Sequence, residues 1–452
     1  MNKETHEGIY DVKQLGASKT IVLGLQHMFA MFGATVLVPL LTGLDVSTTL
    51  LFAGLGTLLF HLVTKGKVPA FLGSSFAFLG GYFAIAPILE DGSSNVEMIP
   101  YACFGVACAG LLYLVLAGLI KLFSAGKIMK FFPPIVTGPI IIAIGLTLSQ
   151  SAIDNCSSNW LIALVAIIAV IICNIFGKGM IKIVPILIGV VASYLVAICM
   201  GEVDFTGVAN AQWVGFPIHR EMTILGMFDN FDVSLMITAI ITIMPIALAT
   251  IVEHIGDISA ISSTTGRNYI KEPGLHRTLL GDGLATIVAS LFGAPANTTY
   301  GENTGVLNLS KVYDPFVVRL AAFFAVFFSF CPKFSAVIQS MPTATVGGIS
   351  LILYGMISAV GVRNIVENQV DFTKSRNVII AALILVLSIG INYSAAGAIA
   401  FQIGQITISL SGLAVGALTG IILNAILPGK DYVFDTEEPK DTGVDFEVGG
   451  RN

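Results

Sequence analysis

The chain is predicted to be an all-α polytopic membrane protein with about fourteen transmembrane segments, arranged as two inverted seven-segment repeats. Three observations carry that expectation. Of its 452 residues 55% are hydrophobic and only 11% charged, whereas a water-facing surface needs about a quarter. Apolar runs such as 161–173, 184–200 and 378–389 continue into apolar flanks, reaching the roughly 20 residues that a spanning helix requires. Lysine and arginine recur in every second connection rather than at random.

The segments divide the chain as follows. The first twenty residues are polar, carry Lys3, Lys13 and Lys19 and hold no apolar signal core, so they read as a cytoplasmic lead. Seven segments are expected over 20–42, 48–65, 68–87, 100–123, 133–150, 159–177 and 181–201. After a longer polar stretch, seven more are expected over 232–255, 276–293, 297–310, 314–331, 342–361, 374–391 and 399–428.

Charge tests this division. With the N-terminus inside, the inner connections hold Lys65, Lys67, Lys121, Lys127, Lys130, Lys178 and Lys182, then Arg267, Lys271, Arg277, Lys311, Arg319, Arg363, Lys374 and Arg376. The tail adds Lys430, Lys440 and Arg451. The outer connections keep Arg220 and Lys333, with Glu90, Asp91, Glu97 and Asp154. Both termini are therefore expected in the cytoplasm. Seven segments per half is an odd number, so the second half must run inverted.

Other classes find no support. The six cysteines, Cys103, Cys108, Cys156, Cys173, Cys199 and Cys331, form no CxxC pair and have no histidine-rich partners. They read as small packing residues, not as a disulfide framework or metal site. The net charge of −5 is spread over loops and tails, which gives nucleic acid no basic patch. His-Glu-x-x-His, Gly-x-Ser-x-Gly and Gly-Lys-Ser/Thr motifs are absent from the sequence, which argues against an enzyme. No cofactor is implied.

Two segments depart from ordinary spanning helices. One is Val68-Pro-Ala-Phe-Leu-Gly-Ser-Ser-Phe-Ala-Phe78, the other Gly293-Ala-Pro-Ala-Asn-Thr-Thr-Tyr-Gly-Glu-Asn-Thr-Gly305. Each has a Pro-Ala pair followed by two hydroxyl residues and an aromatic. Non-helical backbone survives at membrane depth only inside protein or along a cavity. Interrupted segments at matching places in two halves point to a transporter binding site.

Ionisable residues inside the apolar segments mark the same place. In the eighth segment Glu253 and Asp257 stand four apart, on one helix face. The bland alternative for either is a cap at the cytoplasmic helix end, and it weighs more on Asp257, nearer the loop. Glu302 and Asn303 follow the break in the tenth segment, where a purely structural role competes with a functional one. His27 follows Gln26 in the first segment; it and His254 are also read as core histidines bonded to a neighbouring segment. A carboxylate suits a ligand whose edge alternates N–H and C=O, as in uracil, with backbone amides donating to the carbonyls. Phe76 can stack on a flat ring and Tyr300 can help to close the pocket. Proton exchange at a carboxylate that also binds ligand would couple the two without a separate device.

At these residues the chain closely resembles the bacterial uracil permeases of the nucleobase–ascorbate transporter (nucleobase:cation symporter 2) family. The matching stretches are Gln26-His-Met-Phe-Ala-Met-Phe-Gly-Ala-Thr-Val-Leu-Val-Pro39, Gly73-Ser-Ser-Phe-Ala-Phe78, Val252-Glu-His-Ile-Gly256, Glu272-Pro-Gly-Leu-His276 and Asn297-Thr-Thr-Tyr-Gly-Glu-Asn303. The resemblance implies short strands in segments 3 and 10. It implies a core domain (20–123 and 232–331), a gate domain (124–231 and 332–428), and cytoplasmic ends at 1–19 and 429–452. It implies that the core moves against the gate in an elevator-like way, carrying uracil and protons inward through the bacterial plasma membrane, and that the protein is a homodimer. Glu253 and Glu302 would bond the pyrimidine, with backbone at Phe76 and Gly301, and Ala34 would line the pocket. Glu302, Glu253, Asp257 and His27 are the proton-coupling candidates; Asp257 stands where some relatives carry His. Xanthine-type relatives carry Gln at the place of Glu302, which favours uracil. The alternatives are a purine permease and sodium coupling through backbone carbonyls; an anion exchanger of the same fold is disfavoured, because such a site usually offers helix N-termini and a positive charge rather than the carboxylates Glu253 and Glu302.

Overall fold

The computed structural model describes residues 8–89, 92–403, 406–430 and 432. Lys3, Glu90, Asp91, Lys440 and Arg451 lie outside them, as do most of the two expected cytoplasmic ends. The first half contains α1 (Ala17–Thr42), α2 (Val46–Val63), β1 (Leu72–Ser74), α3 (Leu79–Ile85), α4 (Ile99–Phe123), α5 (Pro134–Ser157), α6 (Trp160–Phe176) and α7 (Pro185–Met200). The second half begins with α8, an apolar run of Val233–Thr265. It continues with α9 (Leu275–Leu291), β2 (Asn297–Thr299), α10 (Gly301–Ser310), α11 (Pro315–Ser329), α12 (Pro332–Gln339), α13 (Thr343–Glu367) and α14 (Ser375–Asn392). A hairpin, β3 (Ala398–Ile403) with β4 (Ile406–Ser411), leads into α15 (Gly412–Ile426).

Among the described residues, seven helices are long and apolar enough to cross a membrane: α1, α2, α4, α5, α8, α13 and α14. An eighth span results if α11 and α12, bent by 87° at their junction, count as one. Pro332 supplies the bend, because proline disfavours helical backbone in the residue before it. Polar N-caps start the helices where apolar sequence resumes. Asp45 accepts from Thr48 N at 2.6 Å, Asn159 from Leu161 N at 3.0 Å, and Asp314 from Phe316 N at 2.9 Å. Each such cap is worth about 1 kcal/mol.

Two expectations need correction. The segment expected over 399–428 is not one helix, since Ala398–Ile403 and Ile406–Ser411 pair as antiparallel strands and the helix starts at Gly412. That stretch holds four isoleucines, a threonine and a phenylalanine, residue types that favour strands, so the mean apolarity that suggested a span does not specify a helix. The eighth segment runs ten residues past its expected end at 255, to Thr265. Asp257 is therefore about two turns inside α8 and does not cap it.

Packing gathers the helices into two groups. In one, α4 and α2 both lie on α9, α11 covers α1 and α2, and the first part of α8 lies on α4. In the other, α5 packs along α13, α6 meets both α7 and α13, and α14 meets both α5 and α15. The α5–α13 contact is close because glycines line it. A Cβ on Gly138 would fall 3.0 Å from Gly361 O, and one on Gly145 only 2.1 Å from Tyr354 O. Small residues let two helix backbones approach in this way. Toward the outside, α6 exposes Leu161, Leu164, Ile168, Ile172 and Phe176.

Basic connections meet across the fold. Lys67 pairs with Glu272, Arg277 Nη1 donates to Val63 O at 3.0 Å, and Arg376 Nη2 donates to Asn424 Oδ1 at 2.6 Å while Asn424 Nδ2 donates to Lys130 O at 3.1 Å.

Candidate substrate site

The two broken segments cross in the interior. β1 and β2 pair antiparallel, with Leu72 opposite Thr299, Gly73 opposite Thr298 and Ser74 opposite Asn297. The ladder extends at both ends, Ser75 N donating to Ala296 O and Tyr300 N to Phe71 O, each at 2.9 Å. Gly73 is needed for the crossing, since a Cβ there would lie 2.6 Å from Thr35 Oγ1 and 2.8 Å from the Tyr300 ring.

Polar side chains from the flanking helices satisfy this non-helical backbone. Leu72 N donates to Thr57 Oγ1 at 2.9 Å, while Asn297 O accepts from Thr286 Oγ1 at 2.6 Å. Ser74 O accepts from the Tyr300 hydroxyl at 2.7 Å. Asn297 itself donates to Phe52 O at 2.6 Å. An unmet peptide group in so dry a place would cost several kcal/mol, which explains why hydroxyl side chains stand around the strands.

Beyond each strand the chain turns into a helix, at Phe76 and at Gly301. The first N–H groups of a helix have no acceptor within it and carry a partial positive charge. Both starts open on a cavity of about 60 Å³. One water needs about 10–15 Å³ on this measure, so the space suits a single small ring. One wall carries Ser74, Ser75, Phe76, Glu253, Asp257, Thr298, Thr299, Tyr300 and Gly301; the other carries Ile141, Leu353, Ile357, Val360 and Asn364.

The expected site residues fall as follows. Glu253 and Asp257 both line the cavity, as their four-residue spacing requires. Asp257 Oδ2 accepts from Thr299 Oγ1 at 2.9 Å. The Phe76 ring meets Tyr354 of α13, behind the lining, edge-on, with centroids 6.1 Å apart. Tyr300 lines the cavity, and its hydroxyl is committed to Ser74 O. Glu302 occupies the first turn of α10 by its backbone, and its side chain lies outside the described part of the structure.

Two expected residues are not brought to the cavity. Ala34 is fully buried in α1 and is not among the lining residues. The helix reaches the strands through Thr35, whose carbonyl accepts from Ser74 Oγ at 3.1 Å. His27, also fully buried, stands behind α10, where Asn303 Nδ2 donates to its carbonyl at 3.0 Å and lies 3.2 Å from its Nδ1.

Sequence reasoning missed Asp282. It sits on α9, fully buried, with Oδ2 at 2.9 Å from His254 Nδ1 and 3.4 Å from Thr298 Oγ1. The glycines on either side let α9 pack closely on its other neighbours, because a Cβ on Gly281 would meet Phe60 of α2 and one on Gly283 would meet Tyr113 of α4. A carboxylate alone in an apolar segment was the available signal. Asn364 was missed as well.

Comparison with known proteins decides the family. A profile of the Permease family matches residues 18–397, most of the chain. The chain belongs to the Permease family. The chain is similar to the uracil permease of Bacillus caldolyticus, 42% identical over 91% of this chain and 92% of that one. The uracil permease of Bacillus subtilis (strain 168) is 39% identical over 96% and 98%, and that of Escherichia coli (strain K12) is 35% identical over 93% and 95%. As a member of the Permease family with several apolar helices, the chain is a multi-pass membrane transporter and not an enzyme.

Among solved structures, the fold resembles the transmembrane domain of the cyanobacterial bicarbonate transporter BicA, with a TM-score of 0.58 at 14% identity over 92% of this chain and 99% of that one. It also resembles SLC26A9, with a TM-score of 0.62 at 12% identity over 92% and 66%. At that identity the likeness concerns the fold alone.

Proposed function

We propose that this permease imports uracil through the bacterial plasma membrane by proton symport. The observation that carries the reading is the composition of one cavity: a carboxylate, Glu253, and two helix starts, at Phe76 and Gly301, around space for one ring. Uracil offers N–H groups to a carboxylate and carbonyls to backbone N–H groups. The names of relatives sharing up to 42% identity over nearly the whole chain support the same substrate. Glu302, which starts α10 beside Gly301, is assigned as the second carboxylate toward the ring.

Movement follows from the two walls. The polar wall belongs to the group built on α1–α4 and α8–α11, and the apolar wall to α5 and α13. A ligand held by the first group could ride with it past the second, an elevator of core against gate. Two inverted repeats underlie the arrangement. Exchanging the halves maps α4 on α9 to α11 on α2, α6 on α13 to α14 on α5, and α6 on α7 to α14 on α15. The fourteen segments are then completed by α3 and α10, each with its strand. The basic connections that meet across the fold support one cytoplasmic side, with both termini on it. A homodimer in the lipid bilayer is the assembly assigned.

Coupling is assigned to Glu253, Asp257 and Glu302, because a carboxylate in the membrane interior can exchange a proton when it gains or loses its ligand. Uptake of radiolabelled uracil into proteoliposomes tests the reading. Accumulation is expected only with an inward proton gradient, with or without sodium. Accumulation that follows sodium would replace the ion, and no uracil uptake under any gradient would sink the substrate.

A further inference from the structure

The apolar wall of the cavity has one exception. Of its five residues from α5 and α13, Ile141, Leu353, Ile357 and Val360 offer only hydrocarbon, while Asn364 offers an amide. Asn364 is 95% buried by its 5% exposure, so its polar atoms need partners inside the protein.

The partners fix which way the amide points. Asn368 Nδ2 donates to the backbone carbonyl of Asn364 at 2.9 Å, and a carbonyl can only accept, so that atom is the nitrogen. The same Asn368 nitrogen lies 3.0 Å from the side chain of Asn364, which must therefore present its oxygen there. The Asn364 nitrogen is left on the other side, where it donates to Thr137 Oγ1 at 3.1 Å. An amide nitrogen carries two N–H groups and Thr137 takes one. The second N–H belongs to a residue that lines the cavity.

We propose that Asn364 is a specificity-determining residue, donating its second N–H to a ring carbonyl of the substrate from the gate side. The inference rests on the uracil reading of the cavity. A pyrimidine dione has two carbonyls and two N–H groups. The polar wall, with Glu253 and the helix starts at Phe76 and Gly301, engages one side of such a ring, and a carbonyl turned toward α13 meets a donor only at Asn364 among the described residues of that wall. Asn364 belongs to the opposite helix group, so the bond forms only while the two groups stand as they do here. The residue thereby selects the ligand and favours this arrangement of core against gate when the correct ligand is aboard.

Binding of three ligands to purified protein tests this: uracil, 2-pyrimidinone and 4-pyrimidinone, the latter two each lacking one carbonyl. Asn364→Leu is expected to weaken uracil by about tenfold or more, the usual effect of losing a buried hydrogen bond to a ligand. For whichever pyrimidinone lacks the carbonyl facing Asn364, variant and wild type should bind alike. Asn364→Asp keeps the size and still accepts from Asn368, but it offers no N–H; it should show the same pattern and serves if the leucine variant fails to fold. Thr137→Val removes the partner within the gate and leaves the donor, so its uracil affinity should stay near wild type. Unchanged uracil affinity in both Asn364 variants overturns the proposal. So does an equal loss for all three ligands, or a loss in Thr137→Val matching that in Asn364→Leu, since either marks a structural role. Wild-type protein that binds no uracil would instead overturn the reading of the cavity.

Discussion

His254 Nδ1 and Asp282 Oδ2 lie 2.9 Å apart with both side chains fully buried. The contact ties the middle of α8 to α9. Successive residues on a helix point about 100° apart, so holding His254 against α9 also sets the direction of Glu253, the next residue back, toward the cavity. Thr298 and Thr299 join the same cluster from β2. A polar network behind the lining thus fixes the rotation of the helix that carries the cavity carboxylate Glu253.

Removing Asp282 should loosen that helix. Asp282→Ala is expected to destabilise the protein by about 3 kcal/mol, because it leaves a buried polar partner uncompensated, and to weaken uracil binding although Asp282 does not line the cavity. Thermal unfolding of the purified protein, followed alongside ligand binding, checks both. A melting temperature equal to wild type would show that the contact does not hold α8.

Glu253→Ala should abolish measurable uracil binding, a loss of more than about 100-fold, since the ring N–H would be left without an acceptor in a dry pocket. Equilibrium binding to purified protein is the readout. Full-strength binding by the variant would remove Glu253 from the site.

Glu302→Gln should weaken uracil and turn competition toward purines, because an amide presents a donor where the carboxylate presents only acceptors. Uptake of labelled uracil challenged with unlabelled xanthine measures the change. A competition profile like that of wild type would mean that Glu302 does not select the ligand.

Gly73→Ala should damage the strand crossing. The added Cβ would meet Thr35 Oγ1 at 2.6 Å and the Tyr300 ring at 2.8 Å, and overpacking of that kind costs about 1–3 kcal/mol. Gly80→Ala is the control, with nothing within 4 Å of its Cβ. Melting temperature and uptake should both fall for the first variant and hold for the second.

Much of this was legible along the chain because its causes are local. Apolar runs mark spans through the cost of exposing peptide groups to lipid, and the proline-glycine stretches near 68–78 and 293–305 mark where two segments leave the helix, the strands there having been implied by the resemblance alone. The four-residue spacing of Glu253 and Asp257 placed both on one helix face, and both line the cavity. The hairpin at 398–411 was not legible, because apolarity averaged over a window is the same for a span and for a β-branched strand pair.

The amino-acid order alone determined that the protein lives in a membrane, where its helices break, and which carboxylates stand in apolar surroundings. Only the tertiary structure decided that Ser75 bonds Ala296, that His254 meets Asp282, that Ala34 and His27 stay away from the cavity, and that Asn364 faces it across from Glu253. The reason is physical. Composition and periodicity report the solvent around a residue and its neighbours within a turn or two, whereas these contacts join positions dozens to hundreds of residues apart. They exist only once glycine-lined helices have packed closely enough to bring those positions together.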